Sequence, residues 1–325
     1  MGVAPPRSKF NDRRSLMRSI ALTVIACAGC IFALAGSAEA QEHYFKGPKV
    51  CEECHEAEFK IWRKTDHYKT YKRLHKIPKA KKIAKAVGSK KKTKKNPVCT
   101  KCHYTMVGKK KPKAKSGTSC ESCHGPASAW NEIHSDFGPH QEDAEPPEHK
   151  TKRLAASEAK GMIHSSMHYE IAENCMSCHG LARADISAKD LAALVAAKHP
   201  VEPDYELVKY SQGSIRHRYY PPDMSVNQEM TPAELARLYV MGMAAQLVSA
   251  AEAFGRSEDK AYRNLQQKRI DAAKKALDAV KSVPEAAALA AEPSREAGLK
   301  LADVIQDKDL TGEVGSMLPN PKKYK

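Results

Sequence analysis

The pentapeptide Cys-x-x-Cys-His occurs four times in this chain, ending at His55, His103, His124 and His179. It is the attachment signature of a c-type haem. The paired cysteines Cys51 and Cys54, Cys99 and Cys102, Cys120 and Cys123, and Cys175 and Cys178 are placed to add across haem vinyl groups. His55, His103, His124 and His179 then sit under the irons as proximal ligands. Of the 10 cysteines, only Cys27 and Cys30 are left over. Both lie in an apolar N-terminal stretch and lack a following histidine, so they make no fifth site. The competing reading is a pair of zinc sites with four cysteines each, which leaves four identically placed histidines unexplained. The expected cofactor is therefore four covalently bound haem c.

The N-terminus reads as an export signal, which fits because c-haem is attached outside the cytoplasm. Arg13, Arg14 and Arg18 precede an apolar run over 19–36, and Ala38-Glu39-Ala40 offers small residues for cleavage after Ala40. Two alternatives stay open: a lipid anchor on Cys27, and an uncleaved membrane anchor. No other stretch reads as apolar enough to span a bilayer. The expected location is the periplasm, with membrane association through an uncleaved signal or lipid anchor as the variant.

The formal charge of +16 falls to +13 without residues 1–40, which carry five Lys/Arg and two Asp/Glu. Eight propionates on four haems would lower it to about +5. The basic charge is concentrated: 18 lysines lie between Lys69 and Lys115. An exported haem protein rarely meets nucleic acid, so nucleic acid is set aside as a partner. Two readings remain for segment 69–115. One is a solvated pair of loops; the other is a docking surface for an acidic redox partner protein.

The chain divides into a signal peptide (1–40), a tetrahaem segment (41–222) and a C-terminal helical region (223–325). The middle segment is too poor in aromatics to build an ordinary core. Porphyrins are expected to serve as the core, wrapped by short helices and loops with little or no sheet. The expected fold is mainly α, a multihaem cytochrome c fold. After Pro222, Thr231-Pro-Ala-Glu234 starts a helix with a cap, a proline at its first position and a capping box. Leu235, Leu238, Tyr239, Met243 and Leu247 recur at helical spacing. A second helix is expected over about 258–282, ended by Pro284. A third, over 285–306, is broken at Pro293, and the tail after 319 reads as frayed. Met241 and Met243 read as core, and the region as a helical cap over the haems or a partner-binding set.

The motif contexts add a resemblance. Trp62 lies seven residues past His55, and His67 five further on. Gly117-Thr-Ser-Cys120-Glu-Ser-Cys-His-Gly-Pro126 is followed by His134, ten residues past His124. Over residues 45–220 the chain resembles the cytochrome c-554 family, tetrahaem carriers that accept electrons from hydroxylamine oxidoreductase in ammonia oxidisers. The resemblance implies mostly bis-histidine irons. It makes His67 the distal ligand of the fourth haem and His134 that of the first. His217, by its spacing from the last motif, fits the third. The second haem lacks a distal protein ligand in the family. Here His164 and His168 precede the fourth motif, and either could fill that place. His43, His75, His140, His149 and His199 read as solvated surface residues.

Bis-histidine haem has no open coordination site, so the expected function is electron transfer between redox partners through closely packed haems. The alternative is a reductase of a small nitrogen or sulfur oxide, acting at one five-coordinate haem, the second. A subunit of a larger membrane-associated conduit, docking through its C-terminal helices, is a third reading.

Overall fold

Each Cys-x-x-Cys-His copy needs two thiols on one face and a histidine one turn on, and a short helix provides this. Residues i and i+3 share a helical face. Three copies accordingly close helices whose last residue is the motif histidine: α5 (Pro97–His103), α6 (Cys120–His124) and α9 (His168–His179). The first copy spans the break between α1 (Lys49–Glu52) and α2 (Glu56–Trp62). The other helices of this part are α3 (Asp66–Arg73), α4 (Pro78–Ala86), α7 (Asn131–His134), α8 (Pro147–Glu158), α10 (Ala188–Ala196) and α11 (Leu207–Ser211). A two-stranded antiparallel hairpin, β1 (Thr105–Val107) with β2 (Lys113–Ser116), joins α5 to α6.

This is a computed structural model that describes residues 43–88, 92–201 and 205–325; His43–Lys325 form one compact unit. The expected signal peptide, its cleavage point, Cys27, Cys30, Lys90 and Lys91 lie outside the described residues.

Local sequence explains the helix starts. Asn96 accepts from the amides of Val98 (2.9 Å) and Cys99 (3.2 Å), with Pro97 at the first helical position. Ser119 and Ser122 form a capping box at α6. Such caps satisfy backbone donors that a helix leaves orphaned.

The C-terminal region forms α12 (Pro232–Gly255), α13 (Lys260–Leu277), α14 (Pro284–Ala291), α15 (Arg295–Val304) and α16 (Thr311–Val314). Thr231 and Glu234 make the expected capping box of α12. Pro284 opens α14 rather than continuing α13, and Pro293 separates α14 from α15. α12 is long and apolar enough to cross a membrane by length and composition, which the sequence reading did not credit. It is instead a core helix: 72% of its apolar window is buried inside the protein. Met241 and Met243 face that core. Full burial of a side chain such as Leu247 contributes about 2 kcal/mol.

The largest apolar cluster joins α12 to α9, through Tyr169, Ala172 and Met176, as well as to α11, α13 and α15. The helix carrying the fourth motif is therefore one wall of the ordinary core. α13 and the turn that leads from α12 into it also clamp the chain just past that motif. Gln266 Nε2 donates to Gly180 O (3.0 Å), Tyr262 Oη to Leu181 O (2.7 Å), and Arg256 Nη2 to Ala182 O (2.7 Å). A second cluster links α4, α10, α12 and α13 through Ile83, Val87, Leu191, Leu194, Ala253 and Tyr262. By contrast, among the described residues of 43–165 only Ile83, Val87, Ala127, Trp130 and Met162 belong to the buried apolar clusters. The tail is not frayed. Lys325 N donates to Lys209 O (2.9 Å), and Lys325 O accepts from Ser214 N (2.8 Å).

Candidate haem centres

Each motif histidine faces a second histidine. The ring centroids lie 6.0 Å apart for His55 and His134, 5.9 Å for His103 and His199, 6.4 Å for His124 and His217, and 6.0 Å for His179 and His67. Two imidazoles bound through one nitrogen each, about 2 Å from a shared metal, have centroids about 6 Å apart. The residues therefore fit a metal held between each pair. The ring planes cross at 16°, 40°, 81° and 59° respectively, and rotation about a metal–nitrogen axis leaves the separation unchanged.

The structure brings together three pairs named from the sequence: His67 with His179, His134 with His55, and His217 with His124. It differs at the second motif, where His199 stands opposite His103. Neither His164 nor His168 occupies that place. His164 Nδ1 is engaged with Ser166 Oγ (2.8 Å), and His168 opens α9. His199 is not a solvated surface residue; its Nδ1 is buried without a hydrogen-bond partner. His75 Nδ1 is likewise buried and unpartnered, and His149 Nδ1 meets Glu145 Oε1 at 2.7 Å. His43 and His140 are exposed, as expected.

Ligand histidines commonly use their second nitrogen to fix ring orientation. His124 Nδ1 lies 2.9 Å from Ile163 O, and His217 Nδ1 lies 2.6 Å from Ile215 O. Both arrangements leave Nε2 free. His134 has a buried, unpartnered Nδ1 and sits against Trp130 (5.7 Å between centroids). Tyr205 stacks on His179 at 4.2 Å.

Imidazole binds a metal in its neutral form. Burial, which disfavours the imidazolium, holds His103, His124, His134 and His179 down to about 4 each. It also lowers His67 and His199. His55 goes the other way, because the Glu58 carboxylate beside it stabilises the protonated ring against burial.

The cysteines show which motifs are neighbours. The side chains of Cys51 and Cys120 touch, as do those of Cys123 and Cys175, and of Cys102 and Cys178. Haem attachment would turn these sulfurs into thioethers, each beside that of a neighbouring motif. The contacts place the motifs in the order first, third, fourth, second. Among the described residues, no three His, Cys, Asp or Glu side chains form a group that could hold a bare metal ion. The four-cysteine zinc alternative has no support in that geometry.

Three positioning features were not foreseen. The Glu121 carboxylate, inside the third motif, is 2% exposed. It accepts from the amides of Lys46 (2.9 Å), Gly47 (2.7 Å) and Ala127 (2.8 Å). It thus ties the lead of the first motif to the third. Trp62 Nε1 donates to Thr118 O (2.8 Å), and Thr118 Oγ1 to Cys102 O (2.8 Å). Gly117 packs against the His67 backbone so closely that a Cβ would meet His67 O at 1.9 Å. Only the glycine in Gly-Thr-Ser-Cys hinted at this approach.

A family model described as cytochrome c554 and c-prime matches residues 50–125, which hold the first three motifs. Cytochrome c-554 of Nitrosomonas europaea is 30% identical over 175 residues, 48% of this chain and 68% of that one. No solved structure matches the chain.

Proposed function

The chain belongs to the cytochrome c-554 family, which makes it a c-type cytochrome that carries electrons on covalently bound haem c, and we propose that it holds four such haems, most of them ligated by two histidines. One observation carries this reading: each of the four motif histidines faces a second histidine at a separation suited to a shared iron. When bound, each haem supplies a one-electron ferric–ferrous couple whose potential follows its ligands, burial and hydrogen bonds.

The chain's own residues set the rest. The cysteine pairs hold each porphyrin in place. His67, His134 and His217 would hold the iron of the fourth, first and third centres together with His179, His55 and His124. Burial keeps most of the imidazoles neutral and ready to ligate. The thiol contacts order the centres first, third, fourth, second, so the first and second are the ends of a short relay.

The second centre lies among the lysines of 69–115. Lys79, Lys81, Lys82, Lys85, Lys92 and Lys95 are exposed there. This distribution supports docking of an acidic redox protein by electrostatic steering. Export to the periplasm rests on the N-terminal sequence alone. No observation favours the reductase alternative.

Intact-mass spectrometry of the purified holoprotein tests the reading. The expected mass is the chain from about residue 41 plus four haems. Three haems or fewer, or zinc in their place, would overturn it.

A further inference from the structure

We propose that His199 is the sixth ligand of the second haem, so that the position open in the family is closed in this chain. The inference rests on the four-haem reading above and goes beyond it at one centre. The resemblance implies no distal ligand there, and the two histidines nearest the fourth motif in sequence are elsewhere.

The backbone aims this side chain. α10 ends at Ala196, and Lys198 takes a left-handed conformation (φ +57°). Lys198 N then donates to Val195 O (2.9 Å) and His199 N to Leu194 O (2.9 Å). These are the two bonds of a Schellman motif, with His199 as its second outer residue. A lysine in this conformation costs about 1 kcal/mol where glycine would be free. Strain of this kind persists where surrounding structure fixes it. Here Leu191 and Leu194 of α10 are buried in the cluster against which Val98 and Cys102 of α5 also pack. The helix that delivers His199 and the helix that ends in His103 therefore share one apolar base.

The result is a ring separation of 5.9 Å, the shortest of the four pairs. The buried Nδ1 of His199 has no protein partner. An imidazole held at that distance from a motif histidine has a shared metal as its natural counterpart. With His199 in place the second haem has no site for a small nitrogen or sulfur oxide, and the chain is a carrier at every centre.

Spin state tests this directly, on the holoprotein. Electron paramagnetic resonance of the ferric wild type should show only low-spin haem, and the reduced protein should bind almost no carbon monoxide. His199→Ala should convert one haem of four to high spin and bind about one carbon monoxide per chain. Added imidazole should restore the low-spin spectrum by entering the vacated place. His164→Ala and His168→Ala should leave the second centre unchanged. A pyridine haemochrome count separates the two levels of inference. Fewer than four haems defeats the four-haem reading. Four haems with a high-spin, carbon monoxide-binding haem in the wild type defeats the assignment of His199 alone. The wild-type spectrum decides the matter even where His199→Ala does not fold.

Discussion

Replacing Glu121 should loosen the joint between the first and third motifs by an amount that follows from its three bonds. In Glu121→Gln the amide oxygen can keep Lys46 N and Ala127 N, both of which Oε1 receives now. The amide nitrogen then opposes Gly47 N, which loses a 2.7 Å bond to a carboxylate oxygen. A bond to a charged acceptor contributes about 1.5–3 kcal/mol, and a buried donor left unpaired costs about 1–3 kcal/mol. Together they give a local loss of about 3 kcal/mol, roughly a hundredfold in an opening equilibrium. Glu121→Ala strands all three donors and should cost about 5 kcal/mol. Native-state hydrogen exchange on the holoprotein is the assay. Amides of Gly47, Lys46 and Ala127 should exchange faster by that factor in Glu121→Gln, while those of α12 keep their protection. The thioether links should hold the haem count constant. If Gly47 keeps its wild-type protection in Glu121→Gln, the carboxylate is not what holds the two motifs together.

Gly117→Ala should disturb the fourth centre, because the new methyl meets His67 O; a change in the low-spin signal of one haem is expected, with a stability loss of about 2 kcal/mol. Gly312→Ala, with nothing within 4 Å, is the silent control. Replacing Lys79, Lys81, Lys82 and Lys85 with glutamine should slow reduction of an acidic partner at low salt and flatten its salt dependence, with haem spectra unchanged; stopped-flow mixing reads both. Lys94 is left out of that set because its ammonium lies 3.5 Å from the centre of the Tyr71 ring. Glu145, bonded to Arg153 and His149, has its carboxyl held at about 2 instead of 4.5. A lowered carboxyl stabilises the fold fully above its unfolded value and loses that contribution as pH falls. Wild-type and Glu145→Gln unfolding midpoints should therefore differ above pH 4.5 and converge towards pH 2.

Local signals in the sequence account for what could be read from it. The start of α12 is written in Thr231-Pro-Ala-Glu234, the breaks around α14 in Pro284 and Pro293, and the haem attachments in a contiguous pentapeptide. His67 and His134 were legible only through spacings shared with a family. His199 was not, because Lys198-His-Pro200 carries no motif and its role depends on α10 and α5 meeting over a common cluster. The tail was misread for the same reason, since Lys325 is held by Lys209 O and Ser214 N, over a hundred residues away. The burial of α12 is also tertiary: its hydropathy suits a bilayer as well as a protein interior, and only the helices packed around it decide between them. The β1–β2 hairpin is too short to leave an alternating pattern.

The four histidine pairs have a topological consequence. They join residue 55 to 134, 67 to 179, 103 to 199 and 124 to 217, and each of these spans crosses every other. Residues 124–134 lie inside all four. No pair is nested within another, so no segment carrying a whole pair can be lifted out as an independent piece. The spans also finish in the order in which they begin. A chain that emerges from its N-terminus can therefore close them only one after another, as residues 134, 179, 199 and 217 appear. The fourth motif finds its partner as soon as it arrives, since His67 is already waiting. The second and third motifs, made earlier, must wait for chain that has not yet been delivered.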